Sequence, residues 1–164
     1  MIKAQHFILR CHEEGKISMD DDVEILLVED NPSDVELTVR ALKKSNTTGK
    51  ILVVTDGAQA LDFIFHTGAY AGNSTSNPLK LILLDLKLPK VDGIEVLRKI
   101  KSDEAARVIP IVILTSSDEG KDVAECYGLG ANSYIVKPVD FNKFIKTVMD
   151  IGLYWLSINK PFIA

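Results

Sequence analysis

"KLILLDLKLPKVDG", residues 80 to 93, decides the fold. Leu81 to Leu84 are apolar without a break, and Asp85 follows them. A strand with one wet face alternates apolar and polar residues. An unbroken apolar run of this length suits a strand covered on both faces. Burying a lone carboxylate is costly. Asp85 therefore stands either at a solvated strand edge or where it has work to do.

The same grammar recurs along the chain. "VEILLVE" (23–29), "KILVVT" (50–55), "IPIVILT" (109–115) and "SYIVK" (133–137) are short runs rich in Val, Ile and Leu. None alternates cleanly. Helical patterns lie between them. "PSDVELTVRALKKS" repeats Val35, Val39 and Leu42, and "GAQALDFIF" has Ala60, Leu61, Ile64 and Phe65. "GIEVLRKIK" places Ile94, Leu97 and Ile100 opposite basic residues. "DEGKDVAECYGLG" is the least marked helix, and "DFNKFIKTVMDIGLYWL" sets Phe141, Phe144, Ile145 and Val148 on one face. The first helix can be capped by Asn31 with Pro32 in its first turn, or by a Ser33–Glu36 capping box. "HTGAYAGNSTSNP" (66–78) reads as a polar, mobile surface loop.

Five strands alternating with five helices make a doubly wound α/β domain with a parallel sheet. The length of 164 residues suits one such domain, and the net charge of −4 with no basic stripe argues against general nucleic-acid binding. No apolar run approaches the roughly 20 residues that cross a bilayer. Cys11 and Cys126 have neither CxxC nor metal-ligand spacing, and they read as free thiols of a reducing cytoplasm. His6, His12 and His66 lack ligand spacing and read as surface residues.

Residues 1–22 differ from the rest and read as an N-terminal extension, disordered or upstream of a true start at Met19. The alternative is a short docking helix with Ile2, Phe7, Ile8 and Leu9. The domain proper spans 23–157, and 158–164 is a C-terminal tail.

In doubly wound sheets, sites form beyond the carboxyl ends of the strands. Those ends hold Glu29–Asp30, Asp85, Thr115–Ser116 and Lys137–Pro138, with Thr55–Asp56 to one side. One such residue is an ordinary cap or loop residue; the set together is a site. Crowded carboxylates raise one another's pKa, and a hard divalent cation relieves this. Mg²⁺ suits oxygen ligands and uses one or two carboxylates beside a phosphate. Asp85, at the centre of the rim, is then the natural nucleophile toward a phosphoryl group, with Lys137 and Thr115 placed to contact its oxygens.

These residues resemble the receiver domain of two-component response regulators. "LLVEDNPSD", "LILLDLKLPKVDGIEVL", "IPIVILTSS" and "SYIVKPVDF" occur in order, with 30 residues from Asp85 to Thr115 and 22 from Thr115 to Lys137. The resemblance implies a flavodoxin-like strand order of 2-1-3-4-5. It implies that Asp85 accepts a phosphoryl group from a histidine kinase. Asp30 would ligate Mg²⁺ (or Mn²⁺ as a substitute) directly, Glu29 through water, and Lys87 through its backbone carbonyl. Thr115, Tyr134 and Pro138 would form the switch, with a cis Lys137–Pro138 bond. Such a protein is no enzyme beyond its own phosphorylation and dephosphorylation.

"DGAQALDFIFHTGAY", "SSDEGKDVAECYGLGANSYIVKPVDF" and "IGLYWLSINKPF" are similar to the stand-alone regulators of bacterial and cyanobacterial phytochrome kinases. That likeness implies a phytochrome-type kinase as partner, and a downstream protein of unknown identity. No output domain is expected to follow residue 164. Leu153, Tyr154, Trp155 and Leu156 are apolar all round and suggest a homodimer through the fifth helix.

Other readings fit less well. A phosphorelay shuttle uses the same site, and a pseudo-receiver that only binds partners would not need the complete acidic cluster. A haloacid-dehalogenase phosphatase wants a second aspartate at position 87, where Lys stands. "EDNPSD" would repel the phosphate of a flavin, and neither GxGxxG nor GxxxxGK[ST] occurs.

Overall fold

The computed structural model describes residues 8–10, 23–45, 49–72 and 79–162. Cys11, His6, His12, Met19 and most of the 1–22 extension lie outside the described residues, as do 73–78 of the polar loop and the last two residues of the tail. Strands β1 (Ile8–Arg10), β2 (Val23–Val28), β3 (Lys50–Val54), β4 (Leu81–Leu84), β5 (Ile111–Thr115) and β6 (Ser133–Val136) form one sheet in the order β1-β3-β2-β4-β5-β6. Every pairing is parallel. Helices α1 (Pro32–Lys44), α2 (Gly57–Phe65), α3 (Gly93–Ser102), α4 (Gly120–Leu129) and α5 (Phe141–Leu153) complete the alternation.

The five expected strands are β2 to β6, in the expected order. The sixth, β1, comes from the extension. Ile8 and Leu9 lie in this strand, not in a helix, and pair with Ile51 and Leu52. Without β1, β3 would leave its outer row of N–H and C=O groups without a strand partner.

The apolar runs serve two cores. Ile25, Leu27, Ile51, Leu81, Leu83, Val112 and Leu114 join α1 and α5 through Val35, Val39, Leu42, Phe144 and Val148. Leu26, Val28, Leu52, Ile82, Leu84, Ile111 and Ile113 pack with Ala60, Phe63, Val96, Leu97, Ile100 and Cys126 of α2, α3 and α4. Successive residues of a strand point to opposite faces, so a strand that feeds both cores must be apolar throughout. Asn31 caps α1, its Oδ1 accepting from the Ser33 and Asp34 N–H groups, with Pro32 in the first turn.

Two local readings differ. Phe141, the first residue of α5, is half exposed, whereas Phe144, Ile145 and Val148 are buried. The 66–78 connection is anchored by a 3₁₀ turn, Gly68–Tyr70, whose Tyr70 ring is buried edge-on against Phe63 at 5.2 Å.

Candidate functional site

All strands run the same way, so their carboxyl ends share one rim. Register sets what meets there. Val28 pairs with Leu84, and the Asp85 N–H donates to the Val28 carbonyl at 3.0 Å, which puts Glu29 beside Asp85. On the other side, Thr115 pairs with Val136, and the Lys137 N–H donates to the Thr115 carbonyl at 2.7 Å.

Glu29 and Asp85 are buried and Asp30 is exposed; one carboxylate oxygen from each lies within 4.8 Å of the other two. Lys137 is the counter-charge. Its Nζ donates to Glu29 Oε2 at 2.5 Å, Asp34 Oδ2 at 2.8 Å and Asp85 Oδ2 at 3.2 Å. Burial alone would lower the Lys137 pKa; the carboxylates of Asp34, Glu29 and Asp85 more than reverse it and raise it. Burial pushes the Glu29 carboxyl up, against the Lys137 ammonium and the Asn31 N–H, which donates to Glu29 Oε1 at 3.0 Å. Asp30 has no hydrogen bond or ion pair from its side chain among the described residues. An all-oxygen donor set of this kind fits a hard divalent cation.

The loop after Asp85 is held from below. Gly93 starts α3 so close to the strand end that a Cβ there would stand 2.2 Å from the Asp85 carbonyl oxygen. Lys90 adopts a left-handed φ of 64°, and its ammonium reaches Asp56 Oδ2 at 2.7 Å. Asp56, buried, also caps α2 by accepting from the Gln59 N–H at 2.8 Å. Lys87 is exposed, and its N–H donates to Asp85 Oδ1 at 3.3 Å.

Thr115 is fully buried and its Oγ1 accepts from the Ser117 N–H at 3.3 Å. Tyr134 donates its hydroxyl to the Ser117 carbonyl at 3.0 Å. Ser117 in turn donates its hydroxyl to Asp122 Oδ2 at 2.7 Å, in the first turn of α4. The Lys137–Pro138 bond, expected cis, is trans. Trans is the lower-energy isomer of an X–Pro bond by about 0.5–1 kcal/mol, and Lys137 meets its three carboxylates from it.

A family model for the response regulator receiver domain matches residues 25–149. The chain belongs to this family. It is 42% identical over 144 residues to the probable methanogenesis regulatory protein FilR2 of Methanothrix harundinacea, covering 88% of this chain and 90% of that one. It is 39% identical to the response regulator Rcp1 of Synechocystis, covering 81% of this chain and 88% of Rcp1. The Mn²⁺-bound structure of Rcp1 superposes with a TM-score of 0.79 at 37% identity, over 85% of this chain and 98% of that one. The phosphorylated cyanobacterial phytochrome response regulator RcpA superposes with a TM-score of 0.78 at 39% identity, over 84% and 96%. Among the described residues no helix is long and apolar enough to cross a membrane.

Glu29, Asp30, Asp85 and Lys137 come together on the rim, and Thr115 stands at the end of the neighbouring strand with its hydroxyl at the Ser117 N–H. Sequence reasoning missed Asp34, Asp122, and the Lys90–Asp56 pair. Asp34 had a signal. It is the third residue of a helix that leaves the rim, but an acidic residue in a first helical turn is so ordinary there that the helix itself explains it.

Proposed function

We propose that Asp85 is the phosphoacceptor of this receiver domain. The observation that carries the reading is the Lys137 ammonium 3.2 Å from Asp85 Oδ2, beside the oxygens of Glu29 and Asp30. Receiver domains take phosphoryl groups from histidine kinases. An Asp85 carboxylate oxygen forms a bond to phosphorus as the phosphorus–nitrogen bond of a phosphohistidine breaks, and the bonding pair returns to the imidazole nitrogen. Lys137 pairs with the phosphoryl oxygens and Thr115 donates a hydrogen bond to one of them. Asp30, Asp85 and the Lys87 carbonyl would hold Mg²⁺, with Mn²⁺ as a substitute, and Glu29 would act through water. The ion supplies neutralisation of the charge between carboxylate and phosphoryl oxygens.

The phosphorylated state then becomes the favoured conformer of an existing equilibrium. The switch runs from Thr115 through Ser117 to Tyr134, with Pro138 just beyond β6. Its output is protein contact at the face made by α4, β6 and α5, where Tyr127, Val136, Val139 and Phe141 are exposed. A second copy would pack against the end of α5. The protein would work in the cytoplasm and catalyse only its own phosphorylation and dephosphorylation.

Incubation with acetyl phosphate and Mg²⁺, followed by intact mass, tests this. One phosphoryl adduct is expected on the wild type and none on Asp85→Asn; an adduct that survives the substitution overturns the assignment. The likeness to RcpA supports a phytochrome-type kinase as donor. The likeness to FilR2 favours a second reading, a kinase of another class. Transfer from a phytochrome kinase faster than from unrelated histidine kinases decides for the first.

A further inference from the structure

Lys137 has three ammonium protons, and three carboxylates from three elements take them. Two of these, Glu29 and Asp85, belong to the acidic cluster. The third, Asp34, lies in α1 and is not one of the residues whose oxygens converge on a cation position. It makes the second-shortest of the three contacts, shorter than the one to Asp85. Its backbone is fixed too, because the Asp34 N–H donates to the cap oxygen of Asn31.

A divalent ion held by the cluster would repel the Lys137 ammonium, which contacts two of the cluster's carboxylates, and in a poorly hydrated site that repulsion would be strong. The ion would also draw on the carboxylates of Asp85 and, through water, Glu29, both of which the ammonium contacts. Only a carboxylate outside the ligand set can keep the ammonium at the wall of the site while the ion is bound. Asp34 is that carboxylate among the described residues.

We infer that Asp34 is a positioning residue: it holds Lys137 on the α1 side so that ion and ammonium share the site, and it releases the ammonium to the incoming phosphoryl group. The inference rests on the receiver reading given above. Without Asp34, Lys137 falls back on Glu29 and Asp85 and competes with the ion.

The test is a double-mutant cycle on ion binding, with Mn²⁺ alone as the probe and free Mn²⁺ counted by electron paramagnetic resonance. Asp34→Asn is expected to raise the Mn²⁺ dissociation constant about fivefold or more in the wild-type background and about twofold or less in Lys137→Met. Equal effects in both backgrounds, or none in the wild type, overturn the inference. Should Lys137→Met fail to fold, Glu36→Gln takes its place. It removes the same charge from the same helix, at a residue paired with Arg40 and away from Lys137. Glu36→Gln is then expected to leave Mn²⁺ binding unchanged, and a loss equal to that of Asp34→Asn is contrary to the inference. A wild type that binds no Mn²⁺ overturns the proposed cation site and phosphoacceptor role, and the inference with them; a wild type that binds without the coupling overturns the inference alone.

Discussion

Asp56 shows how a residue beside the site can be structural and still matter to it. Its carboxylate is buried, yet Lys90 and Gln59 outweigh the cost of burial and hold its pKa below the ordinary 3.8. A carboxyl whose pKa is lower in the folded state stabilises the fold above the unfolded value, and that contribution is lost as pH falls through the folded one. Asp56→Ala is therefore expected to cost about 1–2 kcal/mol at neutral pH, mostly from the lost helix cap. The exposed Lys90 ammonium adds little. Urea titrations of both proteins should show this gap narrowing below pH 3.8; a gap that stays constant there would mean that charge plays no part. Lys87 is the opposite case. Its side chain is exposed, two residues beyond Asp85, whose Oδ1 accepts from the Lys87 backbone N–H. If it shields the phosphorylated aspartate from water, Lys87→Ala will shorten the lifetime of the adduct severalfold, followed by loss of the phosphoryl mass over time. An unchanged lifetime makes the side chain a bystander.

Elements set the precision of the site, and here close approach is the means. The start of α3 presses on the end of β4, and an alanine Cβ at position 93 would meet the Asp85 carbonyl oxygen at 2.2 Å and Leu86 Cα at 2.6 Å. Both are backbone atoms, so no side-chain rotation relieves the clash. Gly93→Ala is expected to destabilise the fold by about 1–3 kcal/mol. It should also slow acetyl-phosphate labelling of Asp85 by displacing the strand end. A variant with wild-type stability and labelling would show that the helix can back away freely. The helices and strands themselves were legible in the sequence: the unbroken run Leu81 to Leu84 on β4 feeds both cores, and Val35, Val39 and Leu42 on α1 repeat at the helical period that buries one face. The rim was legible for the same reason, since a parallel sheet must bring its carboxyl ends together. The Lys137–Asp34 and Ser117–Asp122 contacts were not. They depend on where a first helical turn lies relative to a neighbouring strand end, and no period in one segment encodes that. Nor did composition set β1 apart as a strand, because three residues are too few to show a pattern.

At the scale of the whole molecule, the end of α5 is the surface least explained by the monomer. The apolar run at 153–156 divides in the structure. Trp155 and Leu156 pack partly onto the core between α1 and α5, whereas Leu153 and Tyr154 remain 47% and 48% exposed. Ile158, in the turn that follows, is 64% exposed. Single exposed apolar residues are common, but a contiguous group at one end of a helix favours a partner surface. A second copy would bring the same residues to the same place and make a two-fold contact. Light scattering should then give twice the chain mass at high protein concentration. Replacing both Leu153 and Tyr154 by Glu should return it to one. Because both side chains are already half in water, that double variant should melt as the wild type does when compared at low, monomeric concentration. A wild type of single-chain mass at high concentration would rule the dimer out. A doubly substituted protein that still pairs would move the contact elsewhere on the surface, with the exposed Val136, Val139 and Phe141 face next to be tried.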